Sequence, residues 1–119
     1  MLTLLATLML PAALGAQATR ASCPDSVTYF EYQVTKPARW IADSSLTVHP
    51  TAPVRNPANL VQFVVDTSGA PIAQTFRALK VTDADVASQA RASVATWRFV
   101  PATLGDCSVR QLVQTPIGR

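Results

Sequence analysis

Leu60-Val61-Gln62-Phe63-Val64-Val65-Asp66, followed by Thr67-Ser68-Gly69, reads as a strand that ends in a tight turn. Val61, Phe63 and Val65 share one face while Gln62 and Asp66 take the other, the period-two alternation of a sheet with one side on a core. Gly69 stands where such a turn needs a positive φ. Residues 71–81, PIAQTFRALKV, then return as the second strand of a hairpin.

Downstream the period changes from two to nearly four. Thr82 with Asp85 three residues on makes a capping-box signal, and Asp83 and Asp85 put negative charge where the first turn of a helix exposes its N–H groups. Val86, Ala90, Val94 and Trp97 form one apolar stripe, so the spacing predicts a helix from Thr82 to about Trp97. Pro101 forbids its continuation. Gly105-Asp106 supplies another turn, and residues 108–117, SVRQLVQTPI, have the β-branched content of a third strand ending at Pro116. The expected fold is α+β: strand, strand, helix, strand, with the helix packed on a small antiparallel sheet.

Upstream, residues 27–34, VTYFEYQV, alternate in residue types that suit an additional N-terminal strand. From Lys36 to Pro57 the chain carries Pro37, Pro50, Pro53 and Pro57 with little periodicity, so an extended connector is expected, with Leu46-Thr47-Val48 as a short strand. Residues 2–16 are apolar and uncharged, and Ala16-Gln17-Ala18 offers the small-x-small pattern of signal cleavage after Ala18. The organisation is thus a leader at 1–18, a strand and connector at 19–59 that belong to the domain, and a module at 60–119. No Lys or Arg precedes the apolar run, which leaves an uncleaved inner-membrane anchor as the alternative to a periplasmic or secreted protein.

With 119 residues and 49% hydrophobic content, one domain with a modest core is the expectation. Ten basic residues are spread singly along the chain rather than in a stripe, which argues against a nucleic-acid partner. The lone histidine, His49, sits in the connector, and most of the seven carboxylates fall in turns and caps. That supply gives no convergent acid–base set and no metal-ligand spacing, so no catalysis, cofactor, metal or small-molecule substrate is expected. Cys23 and Cys107 are an even pair in a small exported chain, which favours a disulfide over two buried free thiols. Such a bridge closes nearly the whole mature chain, a constraint worth about 4 kcal/mol in the chain-entropy account.

Taken in order, VQFVVDTSG, a returning strand, an Ala-rich helix, Trp97-Arg98-Phe99-Val100-Pro101-Ala102, a glycine turn and a final strand ending in Pro-Ile resemble the TonB C-terminal domain family over residues 60–117. Gly69, Trp97, Phe99 and Pro101 carry the match. The resemblance implies a three-stranded antiparallel sheet with a packed helix, and a periplasmic role in energy transduction to outer-membrane transporters. In that family the last strand pairs its free edge with an extended transporter segment, the TonB box. Carried over, the docking edge is Val109, Arg110, Gln111, Leu112, Val113 and Gln114, with main-chain groups supplying affinity and alternate side chains selectivity. The partner implied is a TonB-box-like peptide of a transporter or another envelope protein, and a free edge also admits a second copy as a homodimer.

The chain departs from the family in several places. The family's charged stub, motor-facing anchor and long spacer have no counterpart among these residues, and its aromatic-proline pair is matched only by His49-Pro50. Cys23 precedes the strand at 27–34 as Cys107 precedes that at 108–117, so a disulfide sets the two strands side by side and parallel. The N-terminal strand then fills the edge that the family uses for its partner, and the module becomes a structural domain with a self-occluded edge. Sequence alone leaves both readings standing.

Overall fold

The computed structural model describes residues 23–119, so the leader expected over residues 1–18 lies outside the described residues. The elements in chain order are β1 (Thr28–Tyr29), β2 (Arg39–Trp40), β3 (His49–Pro50), β4 (Leu60–Val65), β5 (Pro71–Lys80), α1 (Ala84–Ser93), β6 (Phe99–Val100), β7 (Ala102–Leu104) and β8 (Cys107–Gly118). The class is α+β, with one α-helix among the described residues against a mostly antiparallel sheet ordered β1-β8-β4-β5.

β4 is the spine. On one side it runs antiparallel to β8 in unbroken register from Leu60 opposite Pro116 to Val65 opposite Gln111. On the other it pairs with β5, whose register slips between Gln62 and Val64. There the Thr75 hydroxyl accepts from the Val64 N–H at 2.8 Å and donates to the Ile72 carbonyl at 2.6 Å, standing in for the ladder where the strand bulges. The β4–β5 turn is closed by Asp66, whose carboxylate accepts from the Ser68 N–H, the Ser68 hydroxyl and the Ala70 N–H. Partial burial alone would raise its pKa, but those bonds and the Arg110 charge outweigh it and hold the carboxyl below its ordinary range. Gly69 has φ +90°, as the turn requires.

The core lies on one face of this sheet. Val61, Phe63 and Val65 of β4 with Val113 and Ile117 of β8 meet the stripe Val86, Ala90, Val94 and Trp97, each buried side chain larger than Ala90 contributing about 2 kcal/mol. Phe63 packs edge-on to Trp97 at 5.6 Å and tilted on Phe99 at 5.6 Å. Trp97 itself lies beyond α1, which ends at Ser93 and tightens into a 3-10 turn over Val94–Thr96. The start of α1 also differs from expectation. Asp83, not Thr82, is the N-cap, accepting from the Asp85 and Val86 N–H groups, while the Thr82 hydroxyl donates to the Ala58 carbonyl.

Three expected strands are redrawn. Only Thr28–Tyr29 of 27–34 is a strand; Glu31–Gln33 coil into a 3-10 turn because the Gln33 side chain reaches back to the Phe30 N–H at 2.8 Å and offers that donor a local partner. The connector pairs at His49–Pro50 rather than at 46–48, where Leu46 and Val48 instead pack on the core. The last strand runs through Pro116 to Gly118. Pro116 is accommodated because it stands opposite Leu60 at a position whose main-chain groups face away from β4, where the ladder asks for no N–H. Arg39–Trp40, unremarked in the sequence, pairs antiparallel with Phe99–Val100.

Candidate functional site

β8 carries the site because one of its two edges is only partly used. Toward β4, the Ile117 N–H donates to the Asn59 carbonyl. Toward the opposite edge, the Pro116 carbonyl accepts from the Thr51 N–H at 2.9 Å. Since main-chain groups alternate along a strand, residues 111, 113, 115 and 117 turn theirs to β4, while Arg110, Leu112, Gln114 and Pro116 turn theirs to the second edge. That second edge is occupied at both ends. β1 runs parallel beside it with Thr28 opposite Arg110 and Tyr29 opposite Gln111, and β3 runs antiparallel with Pro50 opposite Ile117. Between them, over Leu112–Thr115, no strand pairs with this edge among the described residues. The main-chain N–H and C=O of Gln114 sit in the middle of that window.

Side chains on the core-facing side of the window open into a cleft of about 610 Å³ whose lining includes Trp40, His49, Pro53, Phe99, Val113 and Thr115. Its wall is built by long-range ties. The buried Gln111 accepts through Oε1 from the Ala38 N–H at 2.7 Å, pinning the connector to the sheet and bringing Trp40 over β8. Trp40 stacks on His49 at 5.0 Å with their planes 3° apart. His49 Nδ1 lies 2.8 Å from the Pro50 carbonyl, which can only accept, so Nδ1 donates in that contact. The Nε1 of Trp40 is buried without a hydrogen-bond partner among the described residues. On the opposite side of the strand a smaller cleft of about 240 Å³ is lined by Phe30, Glu31, Tyr32, Leu112 and Gln114.

Each residue of the expected docking edge has a definite place. Val109 pairs with Ala102 of β7, and Arg110 and Gln111 pair with β1. Leu112, Val113 and Gln114 border the open window. Cys23 and Cys107 are joined with their Cα atoms 5.5 Å apart, which fixes the start of β1 to the start of β8. Among Gly69, Trp97, Phe99 and Pro101, the first three interlock: the Phe99 N–H donates to the Gly69 carbonyl at 2.9 Å, and Trp97 and Phe99 both meet Phe63. Among the described residues no three His, Cys, Asp or Glu side chains converge as a metal site would require.

Comparison of the chain with protein-family models, curated proteins and solved structures gives no match. The arrangement therefore stands on its own geometry: an interrupted sheet edge between two clefts. The sequence does not single out Trp40, Phe30 or Tyr32, and it places His49 only in the connector. Their only sequence signal is an aromatic content in the segment 29–49 that no single period explains. No helix among the described residues is long and apolar enough to cross a membrane.

Proposed function

We propose that this chain is an exported protein-binding module that takes a short extended peptide at the second edge of β8 by β-augmentation, in the manner of the TonB C-terminal domains it resembles. One observation carries the reading: the main-chain groups of Gln114, without a strand partner among the described residues, set between β1 and β3 and flanked by a cleft on each side. An added strand here completes a ladder that the chain begins at Arg110 and resumes at Pro116. The disulfide is consistent with an oxidising compartment outside the cytoplasm, and a TonB-box-like segment of a transporter or envelope protein is the partner class.

A second reading has its own support. β1 already covers Arg110 and Gln111, so the edge is shorter than a full docking strand, and a structural domain with a self-occluded edge fits that pairing. Titration of the isotope-labelled oxidised protein with TonB-box-like peptides separates the two. The binding reading expects amide shifts centred on Leu112–Thr115 at millimolar peptide. Shifts that arise only after the disulfide is reduced, and spread to Arg110 and Gln111, favour self-occlusion. Absence of shifts in both states rejects peptide binding at this edge.

A further inference from the structure

We propose that the segment bound at the Gln114 window reads apolar, cationic, apolar over three consecutive residues, with the cation held by the Phe30 and Tyr32 rings and the Glu31 carboxylate. This rests on the edge-binding reading above and specifies its ligand.

The pattern follows from the pleat. A residue directly opposite Gln114 projects its side chain to the same face as Gln114, and its two neighbours project to the face of Val113 and Thr115. The central side chain therefore enters the smaller cleft, and the flanking ones enter the larger. Tyr29 opposite Gln111 and Thr51 on Pro116 bound the window and leave room for about three residues.

The smaller cleft has a distinct chemistry. Phe30 and Tyr32 stack at 5.7 Å, their planes 7° apart, yet they are 49% and 82% exposed. Beside them lies the Glu31 carboxylate, the only charged group lining this cleft, and it makes no ion pair among the described residues. Two exposed rings and an unmatched carboxylate complement a guanidinium or ammonium group. The methylene stem of an Arg or Lys would lie along Leu112 at the cleft floor. A carboxylate in the same place would meet Glu31 and be rejected. The larger cleft shares Glu31 and Gln114 with the smaller one, but it also carries the Arg39 cation, which disfavours a second one, and its Trp40–His49 stack, Phe99 and Val113 are surfaces for apolar neighbours.

The test uses blocked heptapeptides with Val-Lys-Val, Val-Gln-Val or Val-Glu-Val at the centre, titrated into the intact oxidised protein while the Gln114 amide and the Trp40 indole resonance are followed. The Lys peptide is expected to bind roughly tenfold more tightly than the Glu peptide. In a Glu31→Gln/Tyr32→Ser variant whose amide spectrum keeps the parent dispersion, that ratio should fall to about one, chiefly because the Lys peptide loses affinity. If all three peptides move Gln114 with equal affinity in the parent protein, the cation preference is overturned and edge binding survives. If none moves Gln114, edge binding itself fails and the preference with it.

Discussion

Replacing Gly69 by Ala should cost far more than the same change at Gly105, although both glycines have positive φ. Gly69 has φ +90°, and a Cβ there would stand 2.0 Å from the Phe99 carbonyl oxygen and 3.1 Å from its carbon. Relief requires β6 to retreat from the β4–β5 turn. That breaks the Phe99 N–H bond to Gly69, roughly 1 kcal/mol, and loosens Phe99 from Phe63, about 1 kcal/mol more. The left-handed backbone adds about 1–2 kcal/mol for a side chain. The sum is about 3–4 kcal/mol. Gly105 has φ +61° with nothing within 4 Å of its would-be Cβ, so Gly105→Ala carries only the backbone cost, about 1 kcal/mol. Urea denaturation of both variants measures the difference directly, and thermal unfolding should show Gly69→Ala lower by about 15 °C or more. Equal losses for the two variants, within about 0.5 kcal/mol, would refute the interlock between the hairpin turn and β6.

Further outcomes can be checked alongside. Changing both cysteines to serine should lower stability by about 4 kcal/mol at most and raise amide exchange first at Arg110, since β1 is two residues long and tied by Cys23 to Cys107; unchanged exchange there would mean β1 docks without the tether. Asn59 is buried, and its Oδ1 accepts from both the Thr82 and Asp83 N–H groups. Asn59→Ala should therefore cost about 2–3 kcal/mol by orphaning two donors at the helix start, measurable as a shifted urea midpoint. The Asp66 carboxyl is held below its ordinary range in the fold. Its contribution is present above the unfolded value of about 3.9 and is lost as pH falls through the folded value. Asp66→Asn should thus flatten the acid limb of the stability profile, and an unaltered limb would remove Asp66 as its source.

Local signals served the hairpin and the helix well. The alternation in Leu60–Val65, the turn at Asp66–Gly69 and the stripe Val86, Ala90, Val94 and Trp97 each rest on contacts close in sequence or on a clear period. The pairing of Cys23 with Cys107 followed from count and context, and the parallel seat of β1 beside β8 followed from where the cysteines stand. Segment 30–50 was less legible because its structure is imposed from far away. Ala38 is placed by Gln111, Trp40 by Phe99, and Thr51 by Pro116, across separations that no local pattern encodes. Gln33 closing on Phe30 likewise ended a strand that alternation alone would have continued. The edge residues Val109–Gln114 were readable as a strand, but which of them stay unpaired depends on β1, β3 and β7 arriving from elsewhere in the chain.

Amide hydrogen exchange along β8 in the free, oxidised protein tests the open window most directly. Val113 and Thr115 turn their N–H groups into the β4 ladder, whereas Gln114 turns its own to the edge that no strand pairs with among the described residues. The account predicts strong protection at Val113 and Thr115, fast exchange at Gln114 between them, and protection of Gln114 once an extended peptide is bound. Protection of Gln114 equal to that of its neighbours without any ligand would mean that the edge is already filled, and would contradict it.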